Sequence, residues 1–500
     1  MIIFGVMLRR LKYIYIVFYI VFLLCTTLTK LGAQDYFISN IYVYGNKHTS
    51  YNVINREISI QAGKTYNINT LKKEIKISEE NLNNTSFFNS VSITYSRDTT
   101  ADRMYIYSSD SLDCYETPPE ISNLGNGAEA VSLHITVTER WYYWPNLDIV
   151  FEDRNMSSWV NKFDMNRITI GYGLTTQNFL GQGHKVTLSG KMGFKKGLNF
   201  SYRNIAVDRY RKHFISFEIG YLKTKTAECY TEKNKPVSFK SNQYMERNWM
   251  VGASYTYRHN IRKKLTFGAE FSHNIINDTI LIVNRNFWGS DETIMDRLKL
   301  TYTYEYDQRD YQTYPTSGFY TKLEGRADIA INNSFRYGQI SANLQYFKPL
   351  GGRWYYSSDF KGGISAKTDK AWIYDRAIGD NRVAMSTYDI FAIDGQHFVT
   401  HNSTIRYLIL PKKDFYLRWF SRLNKFSHIH FTMYGKILFE MGYAYNSNNI
   451  RDNCYSNSFL CGLGAGVDIL TYYDIILNCG YVINKTGHRC FIFGLKAPLF

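Results

Sequence analysis

The sequence predicts an α+β domain followed by a transmembrane antiparallel β-barrel of about 16 strands. Three observations lead there. Hydrophobic residues make up 45% of the 500, with 43 Tyr and 32 Phe among them, yet the mean hydropathy is −0.32, so the apolar mass is aromatic and interleaved with polar residues. From Trp141 onward apolar and polar positions alternate in segment after segment, the period of a strand with two unlike faces. The connections between these segments are unequal, as they are when one rim of a barrel carries short turns and the other long loops.

The elements follow in chain order. Met1 to Ala33 reads as a signal peptide: Arg9, Arg10 and Lys12 form its positive region and Tyr13 to Leu24 its apolar core, with Gly32-Ala33 as the cleavage point. That core is shorter than the roughly 20 apolar residues a spanning helix needs. Residues 34–140 form a small domain. Ile38 to Tyr44 alternates as a strand and Gly45-Asn46 turns it; Thr49 or Ser50 caps a helix over Tyr51 to Ile58. Asn69 or Thr70 caps a second helix through Leu71, Ile75 and Leu82, while Val91, Ile93 and Tyr95 and then Leu133, Ile135 and Val137 mark two more strands. Between those strands, 98–127 is an inserted polar loop containing Pro118-Pro119 and Gly125-Asn126-Gly127.

Residues 141–500 hold the barrel, and at about ten residues per strand plus connectors they accommodate about 16 strands. Leu298, Leu300, Tyr302, Tyr304 and Tyr306 share one face; Lys299, Thr301, Thr303, Glu305 and Asp307 share the other. The same dyad runs through Val186–Met192, Ile215–Tyr221, Leu265–Phe271 and Phe431–Tyr443. A soluble sandwich would pack its apolar face on a second sheet. The Tyr and Phe near strand ends fit interface girdles instead, and short turns such as Gly193 to Gly197 alternate with the long stretches Thr224–Arg247, Asn274–Asp296 and Lys367–Thr404.

Composition also excludes. The formal charge of +16 is scattered, with no basic run, which argues against nucleic acid and for a cationic lumen or anionic headgroups. The seven Cys form no CxxC pair and no zinc spacing, so no metal or cofactor is expected; Cys454 and Cys461 either form a loop disulfide or stay unpaired. No catalytic constellation is expected. His184, His397, His401, His428 and His430 are isolated, and Gly462-Leu463-Gly464-Ala465-Gly466 sits among strands with no following helix, where close strand packing explains it. Glu218, Glu270 and Glu305 are similar to the carboxylates of barrel proteases, but a polar interior requires such residues anyway.

Ile38 to Asn46, Val53-Ile54, Gly63, Asn81-Leu82 and Phe87-Phe88-Asn89-Ser90-Val91 resemble a POTRA domain, the periplasmic polypeptide-binding module of the BamA/TamA superfamily. The barrel resembles the bacterial surface antigen barrel of that superfamily. Asn178-Phe179-Leu180-Gly181-Gln182-Gly183 is similar to its first-hairpin signature. Asp307-Gln308-Arg309-Asp310 with Pro315-Thr316-Ser317-Gly318 is similar to its D-x-R-D…P-x-x-G turn, and Phe500 matches its terminal residue. Independently of any family, Pro315 and Gly318 suit a tight reversal in which Asp307 and Asp310 cap backbone N–H groups.

The resemblance implies a non-enzymatic factor in the outer membrane of a Gram-negative cell, its POTRA domain in the periplasm. Such a factor assists insertion or translocation of polypeptides. The implied partners are outer-membrane lipid, unfolded outer-membrane or secreted polypeptides, and periplasmic accessory proteins. A client strand would add by β-augmentation to the edge Val91, Ser92, Ile93, Thr94, Tyr95. The alternatives are a channel or transporter barrel for a solute or secreted partner, with the POTRA as docking module, and a barrel enzyme. The chain departs from the family in three places. It has room for one POTRA. The lumen-loop tip, placed at Asp394, Gly395 and Phe398, lacks the family's Arg, which leaves the candidate acidic partners Glu440 and Asp468 unpaired or differently employed. Pro498 lies in the last strand, where it suits only an edge.

Overall fold

The computed structural model describes residues 35–97, 128–151, 168–379, 383–416, 428–448 and 453–496. The expected signal peptide, the 98–127 insertion, Cys25, Cys114, Pro498 and Phe500 lie outside these residues. Two compact units emerge, one formed by the chain up to Lys47 with Ile58–Glu79 and Val91–Val137, the other by His48–Glu57, Glu80–Ser90 and Thr138–Phe500.

The first unit is built on a mixed sheet. Strands β1 (Asp35–Tyr44), β2 (Thr65–Asn67), β3 (Phe88–Arg97) and β4 (Glu129–Glu139) lie in the order β2-β1-β4-β3. β1 runs parallel to β4 and antiparallel to β2. Ile38, Ile41, Val43, Leu71, Leu133 and Ile135 are buried as its core. Gly45 (φ +88°) ends β1 because a Cβ there would lie 2.1 Å from the Val137 carbonyl oxygen. Helix α1 covers only Tyr51–Asn55, shorter than the expected span to Ile58, and α2 runs Ile68–Asn84. Its N-terminal N–H at Asn69 is capped by the Asn67 side chain at 3.0 Å, two residues before the expected cap. Strand β2 was not legible, being too short to show alternation.

In the second unit sixteen strands form one antiparallel sheet. They are β5 (Tyr143–Phe151), β6 (Ile168–Phe179), β7 (His184–Gly193), β8 (Lys195–Ala206), β9 (His213–Thr224), β12 (Glu246–Arg258), β13 (Lys263–Ile276), β14 (Ile294–Asp307), β15 (Gly318–Ala330), β16 (Arg336–Gly351), β17 (Trp354–Lys367), β20 (His397–Tyr416), β21 (His428–Tyr445), β22 (Phe459–Leu470), β23 (Ile476–Asn484) and β24 (Arg489–Lys496). The numbers between belong to two small hairpins, β10 (Thr226–Glu232) with β11 (Lys235–Lys240), and β18 (Arg376–Ile378) with β19 (Ile393–Asp394). No ladder joins β5 to β24 among the described residues. No described helix is long and apolar enough to cross a membrane; the strands carry the apolar surface, with Leu300, Tyr302, Phe267 and Phe217 exposed on it. The opposite face is charged and paired: Lys299–Glu270 2.5 Å, Arg203–Glu218 2.8 Å, Arg326–Asp328 2.5 Å.

The strand directions sort the connections into two rims. One carries the turns 180–183, 207–212, 259–262, 308–317 and 471–475, and here His48–Glu57 and Glu80–Ser90 pack. The other carries 225–245, 277–293, 368–396 and 446–458. The Gly193–Gly197 turn falls on this long-loop rim rather than opposite it, so a short connection does not by itself mark the periplasmic side. Conversely the turn 308–317 on the short-turn rim is long, and its tip packs against Tyr434 and Arg406.

Candidate functional site: an occluded lumen and its two rims

At the near rim the chain is tied to the barrel by directional contacts within the second unit. Glu139 accepts from the His48 N–H at 3.1 Å and from the Thr49 N–H and hydroxyl at 2.7 Å. The Asn178 amide donates to the Thr49 hydroxyl at 2.8 Å and its carbonyl accepts from the Gly183 N–H at 2.8 Å. Gly181 (φ +70°) accepts from the Ser50 N–H at 2.9 Å. A Cβ on Gly181 would stand 2.0 Å from the His48 carbonyl oxygen. The segment Asn178–Gly183 is thus a left-handed turn shaped to receive the chain at His48–Ser50. Beside it the buried Glu57 carboxylate accepts two bonds from Arg258 at 2.7 and 2.6 Å and one from Arg56 at 2.8 Å. Burial alone would raise its pKa, but the two guanidiniums outweigh that and hold it at about 2.

The 308–317 turn is organised as the residue types require. Asp310 accepts from the N–H groups of Tyr311, Thr316 and Ser317 at 2.9, 3.0 and 3.1 Å. Asp307 accepts from Arg309 at 2.8 and 2.6 Å. Pro315 presents its carbonyl to Arg406 at 2.9 Å, and Gly318 (φ +99°) leaves no room for a Cβ against Gln308. What sequence reasoning missed is the turn's apolar tip. Tyr314 is buried, packs its ring at a tilt against Tyr434 with centroids 4.9 Å apart and lies under the Arg406 guanidinium at 4.6 Å. Its hydroxyl donates to Asp468 at 2.9 Å, and Asp468 also pairs with Lys436 at 2.7 Å. Tyr311 donates to Asp474, which binds Arg140 at 2.6 Å. Two tyrosines in an otherwise polar turn were the available signal.

At the far mouth the long loops interlock. Ala227, Cys229 and Met245 of the 225–245 loop cluster with Ile280, Phe287 and Trp288 and with Phe335 and Tyr374. A second cluster joins Ile378, Met385, Tyr388, Phe391 and Ile393 to Ala444, Tyr455 and Leu460. Polar contacts cross between them: Thr231 donates to Asp394 at 3.0 Å, the Asn234 N–H to Asn453 at 2.8 Å and the Ser456 hydroxyl to the Asp394 carbonyl oxygen at 2.8 Å. Burial pushes the Asp394 carboxyl up to about 6.

The segment that reaches down onto the lumen wall is Met385–Tyr388. Asp394 is buried in the cap, Gly395 lies against Ala444 and Tyr445, and Phe398 belongs to β20 and packs on the second cluster, so the docked turn lies upstream of the expected tip. Glu440 is not left unpaired: it accepts from the Ser386 N–H at 3.0 Å, from the Thr387 N–H and hydroxyl at 2.8 Å, and from the Asn402 amide at 3.1 Å. Two backbone N–H groups and a hydroxyl of the Ser386–Thr387 turn thus meet this carboxylate. The glycine run has a corresponding use, since a Cβ at Gly462 would meet the Thr387 side chain at 2.5 Å.

The other singled-out residues stay apart. Val91–Tyr95 lie in β3, the edge of the first unit's sheet, and the Ile93 N–H is already bonded to Glu79 at 2.8 Å. Cys454 and Cys461 are free thiols. Among the described residues no three His, Cys, Asp or Glu side chains could hold a metal ion, and Glu218 and Glu270 are engaged by cations.

Aromatic-rich strands with a charged inner face, capped by packed loops, are the features of an outer-membrane β-barrel. Residues 178–399 match the Omp85 superfamily domain and residues 36–140 match POTRA, described as a surface antigen variable number repeat. The chain belongs to the Omp85 superfamily and is a barrel protein of the outer membrane with a periplasmic POTRA domain. Among solved structures, CdiB from Acinetobacter baumannii aligns with TM-score 0.50 at 12% identity, over 92% of this chain and 73% of that one. BamA from Haemophilus ducreyi lacking POTRA domains 1–3 aligns with TM-score 0.47 at 12% identity, over 92% and 83%. No curated protein matches the sequence.

Proposed function

We propose that this protein is a non-enzymatic factor that inserts polypeptides into the outer membrane or translocates them across it. The observation that carries the reading is a sheet whose two end strands, β5 and β24, share no ladder among the described residues, while turns and loops fill the lumen at both mouths. A lumen packed at both mouths offers no ready solute path. An unpaired sheet edge in lipid is a template that an incoming strand can complete, because every backbone polar group there must find a partner. In this reading the domain layout is signal peptide 1–33, POTRA 34–140 and barrel 141–500. Clients are unfolded outer-membrane or secreted polypeptides, captured first at Val91–Tyr95 by main-chain pairing, with periplasmic accessory proteins as further partners. Client release into the sheet uses burial of the client's apolar face as driving force and needs no nucleotide.

The test is depletion of the protein followed by quantification of the outer-membrane proteome. Accumulation of unfolded barrel precursors is expected; an unchanged proteome would sink the insertion reading. The match to a single POTRA domain favours a second reading, a channel or transporter for a solute or secreted partner. Planar-bilayer conductance separates the two: a large steady pore in the intact protein supports the transporter, whereas a small flickering one that enlarges on deleting 368–396 supports the plugged factor.

A further inference from the structure

On the outer face of the barrel, at the long-loop rim, three strands place like charges directly opposite one another. Lys196 of β8 pairs in register with Lys223 of β9, which pairs with Arg247 of β12. Directly opposed side chains on one face of a sheet are about 5 Å apart, and like charges there destabilise the sheet. Lys223, Lys225 and Arg247 also converge on one ring, that of Tyr244, at 4.5, 5.9 and 5.9 Å. None of Lys196, Lys223, Lys225 and Arg247 has a carboxylate within ion-pairing distance among the described residues. By contrast, the lumen-facing Arg203, Lys299, Arg326 and Lys436 are each paired with a carboxylate.

The rows beneath give the cations a height in the membrane. Two residues along each strand, about 7 Å away, the register aligns Leu198, Tyr221 and Trp249, with the Tyr221 and Trp249 rings 4.4 Å apart. The next row is Phe200, Ile219 and Val251, all exposed. Cations above an aromatic pair above an apolar wall reproduce the layering of a lipid: phosphate, interface, acyl chain. We propose that Lys196, Lys223 and Arg247, with Tyr244 behind them, form a binding site for the phosphorylated headgroup of an outer-leaflet lipid whose acyl chains lie along Leu198, Phe200, Ile219, Trp249 and Val251. The phosphate offsets the repulsion that the sheet register imposes. An acidic protein or nucleic acid would use the cations but not the apolar rows, and free phosphate would use neither ring nor wall.

The test uses the delipidated full chain in non-ionic detergent, titrated with lipid A as the bisphosphorylated acylated disaccharide, with its dephosphorylated form, and with inorganic pyrophosphate, adducts being counted by native mass spectrometry. One saturable lipid A site is expected, weakened at least tenfold by dephosphorylation, with pyrophosphate binding at least tenfold weaker than lipid A. The triple variant K196Q, K223Q and R247Q should lose the site, whereas removing Lys233, Lys235 and Lys370 from the same rim should not. Equal binding of pyrophosphate would make it a free-phosphate site and overturn the lipid assignment. Unchanged lipid A binding by the triple variant would overturn the proposal outright. Should the triple variant fold poorly, K223Q alone serves: its thermal midpoint should exceed that of the parent without lipid and fall below it with lipid A, and a drop in both conditions refutes the repulsion argument.

Discussion

Replacing Glu440 by Gln is expected to release the Met385–Tyr388 turn from the lumen wall. The carboxylate is 1% exposed and receives four hydrogen bonds, from Ser386, twice from Thr387, and from Asn402. Gln keeps one acceptor oxygen. If that oxygen stays with Thr387, the new amide N–H₂ faces the Ser386 N–H and the Asn402 amide, so two bonds to a charged acceptor become donor–donor contacts. Hydrogen bonds to charged groups contribute about 1.5 to 3 kcal/mol each, so the docked state loses about 3 to 6 kcal/mol. At about 1.4 kcal/mol per decade the undocked population rises by at least about a hundredfold. Hydrogen exchange of the peptide covering 383–391, in the reconstituted full chain, reads this directly. Gly462→Val attacks the same contact sterically, since its Cβ would lie 2.5 Å from Thr387, and should give a similar acceleration without touching the carboxylate. Protection unchanged in both variants would refute the docking argument, and acceleration in Gly462→Val alone would show that shape rather than the carboxylate holds the turn.

The remaining predictions concern the rims and the sheet edge. Glu57 has a depressed carboxyl pKa, about 2 against an ordinary 4.5. Its contribution of about 3 kcal/mol is therefore complete above pH about 4.5 and lost as the pH falls toward about 2. Cysteine-accessibility of residues 48–57 should rise over that window, and Glu57→Gln should show high accessibility at every pH because it leaves Arg56 and Arg258 without their acceptor. Asp394 is the opposite case: raised to about 6 by burial, it destabilises the cap when ionised, so the cap tightens as the pH falls through 6. Between pH about 7.5 and about 5 the gain is about 1 to 1.5 kcal/mol, measured as slower proteolysis of the long loops, and the step should shrink in Asp394→Asn. Tyr314→Ala removes the ring contact with Tyr434 and the bond to Asp468; single-channel recordings should show longer and larger openings, and identical traces would mean that the near mouth is closed by other groups. Glu79→Ala frees the Ile93 N–H, so an unfolded barrel segment should crosslink to Val91–Tyr95 at least threefold more; no increase would place client capture elsewhere.

Much of this protein is legible in its sequence because barrels and small α/β domains write their faces into periodicity. The dyad Leu298 to Tyr306 needs no partner strand to be recognised, and Gly45, Gly181 and Gly318 announce backbone turns that only glycine tolerates. Asp307, Arg309, Asp310, Pro315 and Gly318 fold as a turn for reasons local to themselves. What the sequence could not reveal are pairings between residues far apart in the chain: Glu57 with Arg258, Tyr314 with Asp468, Ser386 and Thr387 with Glu440, or the opposition of Lys196, Lys223 and Arg247 across three strands. Local alternation determines which face each residue takes. Only the register of neighbouring strands and the path of each loop across the mouth decide which charges meet, since those depend on how the whole sheet is assembled, where a one-residue slip would send every side chain to the other face.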